Sequence, residues 1–144
     1  MSDAGLPPSV RALFADLRHG ARREGAQDEA GVWRCGEAGR ERLGTRVRFY
    51  LIVAGARVLQ ARYRAYGCPY TLAACEWLAR RLQGAELSAL SETGLTALVG
   101  APAAWAAALH IPPERLGRLL VIEDALRAAL ADGGQGVVPA LTQP

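Results

Sequence analysis

The sequence predicts an α+β fold: a small antiparallel three-stranded sheet with helices packed on one face. A run of apolar, aromatic and β-branched residues extends from Arg46 to Val53 and is followed by the turn Ala54-Gly55-Ala56. Apolar and polar residues then alternate from Arg57 to Tyr66, as is typical of a hairpin strand with one buried face. Runs with helical spacing precede and follow this hairpin, an order that indicates helices segregated against an antiparallel sheet.

The segment before the hairpin predicts one helix and one strand. Apolar residues recur at helical spacing from Val10 to Leu17, which predicts an amphipathic helix over 9–19. Residues 31–35, Gly-Val-Trp-Arg-Cys, predict a short strand, the third of the sheet. Residues 38–45 are rich in glycine and charge and predict a mobile loop between that strand and the hairpin.

The segment after the hairpin predicts helices only. Residues 70–83 carry a helical pattern that Gly84 ends, and residues 85–99 predict one or two short helical turns. A further short helix is expected at 101–109. The apolar stripe over 116–130 predicts the last and longest helix.

Length and composition fit one domain. The 144 residues suffice for a single core, and we expect a flexible leader at 1–8, one domain at 9–132 and a flexible tail at 133–144. The N terminus lacks the pattern of a signal peptide, and no apolar run reaches the length of a membrane span. We therefore expect a cytoplasmic protein with no membrane partner. The net charge is +3 and the arginines are scattered, so no nucleic-acid partner is expected.

Cysteine 68 lies at the corner where the last strand meets a helix. Gly67 permits a sharp turn there, and Pro69 suits the first helical position. Cys68 is therefore predicted to be the N-cap, where the pKa of a thiol falls and the thiolate that binds metal or carries sulfur is favoured; the alternative is an ordinary buried cysteine. Cys75, about two turns further on, is predicted to pack in the core. With Cys35 the cysteines are three, and an odd number argues against a disulfide framework.

Three segments occur in a fixed order along the chain. They are Cys35-Gly36-Glu37 ahead of the hairpin, Tyr66-Gly67-Cys68 at the corner, and Ile111-Pro112-Pro113-Glu114-Arg115 ahead of the last helix. In this order and spacing they resemble the NifU/IscU family of iron–sulfur cluster assembly scaffolds. The likeness extends from about residue 13 to residue 132, and its first cysteine segment fits with an insertion around 39–45.

The resemblance implies a site and partners. Members of the family hold a nascent [2Fe–2S] cluster on three cysteines helped by an Asp or a His, receive sulfur from a cysteine desulfurase and pass the cluster on. It implies that Cys35, Glu37 and Cys68 bind iron, zinc or a [2Fe–2S] cluster, with Glu37 standing where the family has Asp. It also implies that Ile111-Pro112-Pro113 docks an Hsp70-type chaperone, although Glu114-Arg115 replaces the Val-Lys of the family motif.

The third cysteine position departs from the family pattern. Where the family has His-Cys, this chain has Gly117-Arg118, and neither residue can bind a metal. Arg118 instead places a permanent positive charge there. Because an iron–sulfur cluster needs four thiolates or close substitutes, one chain alone offers an incomplete site.

Three interpretations of this incomplete site stay open. Two chains could form a homodimer that pools Cys35 and Cys68 around one shared cluster. Cys68 could instead carry a persulfide sulfur from a desulfurase, with Arg118 stabilising the thiolate. In the third, Arg118 pairs with Glu37 and fills the site of a pseudo-scaffold that acts as an interaction protein. The sequence holds no Ser/His/Asp arrangement or phosphate-binding loop, so no enzyme is expected.

Overall fold

The architecture is a three-stranded antiparallel sheet with helices against one face. The computed structural model describes residues 5–17, 20, 32–87 and 91–132. In chain order its elements are α1 (Pro8–Phe14), β1 (Val32–Arg40), β2 (Thr45–Ala54), β3 (Arg57–Tyr66), α2 (Pro69–Leu82), α3 (Glu92–Val99), α4 (Pro102–Leu109) and α5 (Leu116–Ala131), with 3-10 turns at Glu41–Leu43 and Pro113–Arg115. The strand order is β1-β2-β3. The predicted α+β fold is confirmed.

The three strands are paired along almost their whole length. β1 pairs with β2 from Val32 opposite Val53 to Arg40 opposite Thr45. The prediction of a loop over 38–45 is therefore wrong, since residues 38–40 continue β1 and only a tight connection precedes β2. Pairing with β2 satisfies the backbone hydrogen-bonding groups of this glycine-containing stretch. Local composition does not reveal such pairing.

A bulge explains one exception to the alternation predicted for β3. Ala61 and Tyr63 are buried on the helix side, as the pattern predicts. Leu59 instead packs with Trp33 and Ile52 on the opposite face. The register of β2 and β3 shifts at Ile52/Val53, and such a bulge changes the face to which the following side chains point.

Helix α5 crosses β1 at a position where only glycine fits. A Cβ atom on Gly36 would overlap the backbone of α5 at Ala125 O and Ala129 N. Gly36 therefore lets the helix backbone approach the strand closely. The core lies between this face of the sheet and α2 and α5, and includes Val47, Phe49, Leu51, Leu78, Leu82, Leu119, Ile122 and Leu126.

Helix α2 carries buried polar groups as well as apolar ones. Cys75 is fully buried, which confirms that it packs in the core, and burial raises the pKa of its thiol. Glu76 is also fully buried and accepts hydrogen bonds from Tyr63 Oη at 2.8 Å and from Arg80 Nε at 2.7 Å. Because both carboxylate oxygens have donors, this buried charge is compensated.

Helix α1 is shorter than the sequence predicts. It spans Pro8–Phe14, and Ser9 is inside it, where its Oγ donates a hydrogen bond to Leu109 O at 2.7 Å. Leu6 is buried in the core, so part of the predicted leader belongs to the folded domain. Residues 1–4 of that leader and the predicted tail at 133–144 lie outside the described residues.

The end of α5 and the outer edge of β1 bind each other. Arg34 Nη1 donates hydrogen bonds to Leu130 O at 2.9 Å and to Asp132 O. Asp132 Oδ2 in turn accepts a hydrogen bond from Cys35 N at 2.9 Å. The arginine satisfies carbonyl groups at the helix C terminus, where a positive charge is also favourable. Among the residues described, no helix has both the length and the apolar character that a membrane span requires.

Candidate functional site

One end of the sheet brings together three segments that are distant in the sequence. They are the connection between β1 and β2, the corner between β3 and α2, and the start of α5. We call this end the tip and define it by Leu43, Gly44, Thr45, Cys68 and Arg118. Two contacts hold the three segments together: Arg118 donates hydrogen bonds to Gly44 and Thr45, and the Arg115 guanidinium lies over the Tyr70 ring at the start of α2.

Cys68 occupies the N-cap position of α2. Its backbone is extended, with φ −78° and ψ 170°, and Pro69 is the first helical residue. The predicted N-cap position is therefore confirmed. The side chain makes no capping bond to the helix backbone; Cys68 Sγ instead lies 3.7 Å from Thr71 Oγ1. Cys68 is half-buried and is therefore not enclosed in the core.

The strand register places Cys68 beside the β1–β2 connection. Arg46 lies opposite Tyr66 in the last row of the β2–β3 ladder. Gly44 lies two residues before Arg46 and Cys68 two residues after Tyr66, so both lie just past the same end of the β2–β3 ladder. The start of α5 reaches the same place, since the guanidinium of Arg115 lies 5.6 Å from the centre of the Tyr70 ring, two residues after Cys68.

Arg118 closes the tip from the side of α5. Its Nη1 donates to Thr45 Oγ1 at 2.9 Å and to Gly44 O at 3.3 Å. Leu43, Thr45, Gly117 and Arg118 line one depression of about 300 Å³. At the position where the resemblance implies a third metal ligand, this chain therefore has the Arg118 guanidinium. That group is hydrogen-bonded to Gly44 and Thr45 of the same chain.

Cys35 lies apart from the tip. It sits opposite Tyr50 in the middle of the β1–β2 ladder, and its side chain packs with Trp33, Tyr50 and Ile52 on the face away from α5. Tyr50 lies five positions after Thr45 in β2, about 16 Å along the strand. Burial raises the pKa of the Cys35 thiol. The structure thus corrects the expectation that Cys35 and Cys68 share a site.

Glu37 also lies away from Cys68 and is engaged elsewhere. Its Oε2 accepts a hydrogen bond from Arg46 Nε at 2.6 Å, and its Oε1 accepts one from Arg48 Nε at 2.7 Å. The hydrogen bond from Arg46, followed by that from Arg48, lowers the pKa of the Glu37 carboxyl. The predicted ion pair between Glu37 and Arg118 is therefore wrong.

The donor set at the tip does not fit a metal or a cluster within one chain. Across residues 5–17, 20, 32–87 and 91–132, no group of three or more His, Cys, Asp and Glu side chains could hold a metal ion. Cys68 supplies one thiol, and the neighbouring Arg118 is a permanent cation that cannot bind metal. His110 is exposed at the end of α4, with φ 59°, and His19 lies outside the described residues.

Comparison with known proteins identifies the family of this chain. Residues 11–132 match the family described as the NifU-like N terminal domain. The chain belongs to this family. The match covers every described element from β1 to α5, so the predicted NifU/IscU-like resemblance is confirmed.

One curated relative and two solved structures illustrate the likeness. The bifunctional protein NifU/MnmA of Rubrobacter xylanophilus is 34% identical over 101 residues, covering 67% of this chain and 19% of the relative. The chain thus spans about a fifth of that relative. A crystal structure from Fervidobacterium islandicum AW-1, proposed to be an iron–sulfur cluster assembly scaffold protein for the SUF system, superposes with a TM-score of 0.59 at 13% identity over 90% of this chain and 99% of that one.

The second structure is a hypothetical protein solved at 2.3 Å, with a TM-score of 0.54 and 14% identity over 85% of this chain and 96% of its own. At these identities the two structural likenesses show the fold alone. They agree with the confirmed three-stranded architecture.

Membership in the NifU-like family makes the composition of the tip informative. The connection from β1 into β2 carries Leu43-Gly44-Thr45 at the tip. Gly44 has φ 89°, a backbone conformation that favours glycine. Sequence reasoning missed these residues. They could have been found by counting residues back from Cys68 along β3 and then along β2, since the two hairpin strands have nearly the same length.

The segment that resembles a chaperone motif lies at the start of α5. Ile111 is buried and Pro113 begins a 3-10 turn. Both line an apolar depression of about 350 Å³ with Leu116 and His110. Because the isoleucine is already packed, Pro113 and its apolar neighbours form the surface that this segment offers.

Proposed function

We propose that this chain serves iron–sulfur cluster assembly by carrying sulfur on Cys68. One observation carries the proposal: the tip retains a half-buried thiol at Cys68, while an arginine replaces the third ligand. Membership in the NifU-like family supports the pathway. A thiol that is not fully buried can accept sulfur from a donor, and one thiol with an arginine does not make a metal site.

The sulfur transfer that we propose needs no added oxidant or reductant. The thiolate of Cys68 attacks the outer sulfur of a persulfide on a cysteine desulfurase. The sulfur–sulfur bond of the donor breaks, a new sulfur–sulfur bond forms on Cys68, and the donor cysteine leaves as a thiolate. Arg118 supplies positive charge at the tip, and the Thr71 hydroxyl, 3.7 Å from Cys68 Sγ, can donate a hydrogen bond to the sulfur anion.

The experiment measures sulfur on the intact protein. The chain is incubated with a cysteine desulfurase and cysteine, without iron, and analysed by intact-mass and peptide mass spectrometry. We expect a gain of one sulfur atom on the wild type and on the matched control Cys35→Ser, and no gain on Cys68→Ser. Sulfur bound at Cys35, or an equal gain on Cys68→Ser, contradicts the proposal.

A second candidate function is an interaction protein that holds neither sulfur nor metal. The observation that favours it is the pair of hydrogen bonds from Arg118 to Thr45 and Gly44, which occupy the tip with groups of the chain itself. It predicts no sulfur gain in the experiment above and no iron after anaerobic reconstitution with iron and sulfide. Either gain excludes it.

The structure gives the shared-cluster interpretation less support. A homodimer that joined two tips would contribute two Cys68 thiolates, because Cys35 lies in the middle of the sheet of each chain. An iron–sulfur cluster normally needs four such ligands. We therefore propose that iron or a [2Fe–2S] cluster is formed downstream of this chain, which acts in the cytoplasm as a carrier and not as an enzyme.

The Hsp70-type chaperone stays part of the proposal on narrower grounds. Ile111, Pro113 and Leu116 line an apolar depression that a chaperone could contact. Glu114 and Arg115 follow the two prolines, so a partner that requires a lysine after them is expected to bind weakly. Titrating the chaperone against the wild type and Pro113→Ala measures whether this segment contributes.

A further inference from the structure

The face of the sheet away from α2 and α5 carries a basic depression next to the tip. It encloses about 300 Å³ and is lined by Glu41, Arg46, Arg48, Arg64 and Tyr66. We call the group Arg46, Arg48, Arg64 and Tyr66 the arginine face. These residues occupy two alternate rows of the β2–β3 ladder, with Arg46 opposite Tyr66 and Arg48 opposite Arg64, and the row of Val47 and Ala65 lies between them.

The arginine face holds a positive charge that the chain leaves uncompensated. Arg48 and Arg64 are directly opposite each other, an arrangement of like charges that destabilises a sheet. Glu37 pairs with Arg46 at 2.6 Å and with Arg48 at 2.6 Å. Within the part of the chain that the structure describes, no ion pair engages Arg64. An anion brought by another molecule would relieve this repulsion.

The same face offers an exposed aromatic surface. The side chain of Tyr66 is large and mostly apolar, yet the residue is 50% exposed. Tyrosine and arginine are the residue types most enriched where binding energy concentrates in protein interfaces. The planar guanidinium of Arg64 can hold a carboxylate through two parallel hydrogen bonds.

We propose that the arginine face binds an acidic segment of a partner protein, with a carboxylate on Arg64 and an apolar or aromatic side chain against Tyr66. Because Tyr66 precedes Cys68 by two residues, the bound segment lies beside the tip and brings its protein next to that thiol. The inference rests on the charges and the shape of this face and does not depend on sulfur transfer at Cys68.

The carboxylates within the depression favour a protein over a nucleic acid. Glu37 occupies the donors of Arg46 and Arg48, and Glu41 Oε2 lies 3.2 Å from Arg46 Nη1. A phosphate backbone, with a negative charge at every nucleotide, would have to pass over both acids. An acidic protein segment needs to place only one or two carboxylates, and Arg64, which lines the depression and is in no ion pair within the described residues, can receive one of them.

The experiment uses a defined probe, an acidic hexapeptide with one central phenylalanine. Its binding is followed by amide chemical shifts and by fluorescence anisotropy of a labelled copy. We expect shifts confined to the arginine face, and binding about tenfold weaker in Arg64→Glu. Arg57→Glu, an exposed arginine at the far end of β3, is the control with the same change in charge and should bind as the wild type does.

Two further measurements keep the proposal falsifiable. Arg64→Gln removes the charge without reversing it and should also weaken binding, which guards against misfolding of the charge-reversal variant. A single-stranded oligonucleotide of equal charge is titrated in parallel. Tighter binding of the oligonucleotide, or equal losses in Arg57→Glu and Arg64→Glu, overturns the proposal. Because Cys68→Ser should bind the peptide normally, failure here is distinguishable from failure of the sulfur-carrier function.

Discussion

Arg118 donates a hydrogen bond from Nη1 to Thr45 Oγ1 at 2.9 Å, joining the first turn of α5 to the first residue of β2. Thr45 is only 5% exposed, so this bond is largely shielded from water. The same nitrogen also reaches Gly44 O. This contact braces the start of α5 against the start of β2, and the expected properties of the tip follow from it.

Removing the brace should destabilise the fold. Arg118→Met and Thr45→Val are each expected to lower the free energy of unfolding by about 1–2 kcal/mol, because a part-buried hydrogen bond is lost. The double variant should lose less than the sum of the two, with a coupling of about 0.5 kcal/mol or more. Urea denaturation measures all three. Arg42→Met, an exposed arginine in the same connection, is the control, and strictly additive losses would contradict a direct interaction.

Restoring metal ligands at the tip should create an iron site. The variant with Leu43→Cys, Gly117→His and Arg118→Cys places new donors around a depression that these three positions already line, at the end of the sheet where β3 leads into Cys68. We expect iron and sulfide to be retained after anaerobic reconstitution, measured by visible absorbance and iron content. Adding Cys68→Ser should abolish the site, and adding Cys35→Ser should leave it intact. Dependence on Cys35 would show that the tip is assigned to the wrong residues.

Two glycine substitutions should have opposite effects. Gly36→Ala is expected to lower the free energy of unfolding by more than about 3 kcal/mol, because its Cβ would overlap the backbone of α5. Gly117→Ala, whose Cβ would meet nothing within 4 Å, should raise it by up to about 1 kcal/mol because alanine is the better helix former. Chemical denaturation of both variants checks the expectation. Equal effects would contradict the close approach of α5 to β1.

The ion pairs of Glu37 should make the stability of the protein depend on acidity. Hydrogen bonds from Arg46 and Arg48 hold the pKa of Glu37 below its usual value. A depressed pKa stabilises the fold above the ordinary glutamate value of about 4.3, and this contribution is lost as the pH falls through the lowered pKa. Glu37→Gln should flatten the acid side of the stability profile by a small amount, since water screens the pair. An unchanged profile over pH would contradict the prediction.

The cysteines should differ in their reactivity. Cys75 is fully buried and burial raises the pKa of its thiol, so alkylation should require unfolding. Cys68 is half-buried and should react in the native state. Iodoacetamide labelling followed by peptide mass spectrometry, with and without urea, measures both. Native labelling of Cys75 at the rate of Cys68 would indicate that α2 opens locally.

Local patterns were sufficient for the architecture. The alternation from Arg57 to Tyr66, the turn at Gly55 and the helical spacing over 70–83 and 116–130 each predicted the correct element, because one face of each is buried against a shared core. The exception at Leu59 arises from a bulge, which depends on pairing with β2 and has no local signature.

The site was not accessible from local patterns. Cys35-Gly36-Glu37 reproduces the motif of the family in sequence, yet it lies in mid-strand because Gly36 serves the contact with α5. The need for glycine at position 36 arises from its contact with Ala125 and Ala129, about ninety positions further along the chain, and no local pattern can show it. Leu43-Gly44-Thr45, which Arg118 joins to the start of α5, holds no cysteine and no carboxylate. Register, and not residue identity, decides which segment reaches the thiol.

The hydrogen bonds that Asp132 accepts from Arg34 and from the Cys35 amide affect how copies of this chain can associate. An unprotected border strand invites foreign chains to extend the sheet and can seed fibres. Here Asp132 engages the amide of Cys35 on one border, while on the other Val58 exchanges hydrogen bonds with Gly84 and Ala85. These bonds engage backbone groups on both borders, and cutting the chain before Asp132 would free the Cys35 amide and should increase the tendency to aggregate.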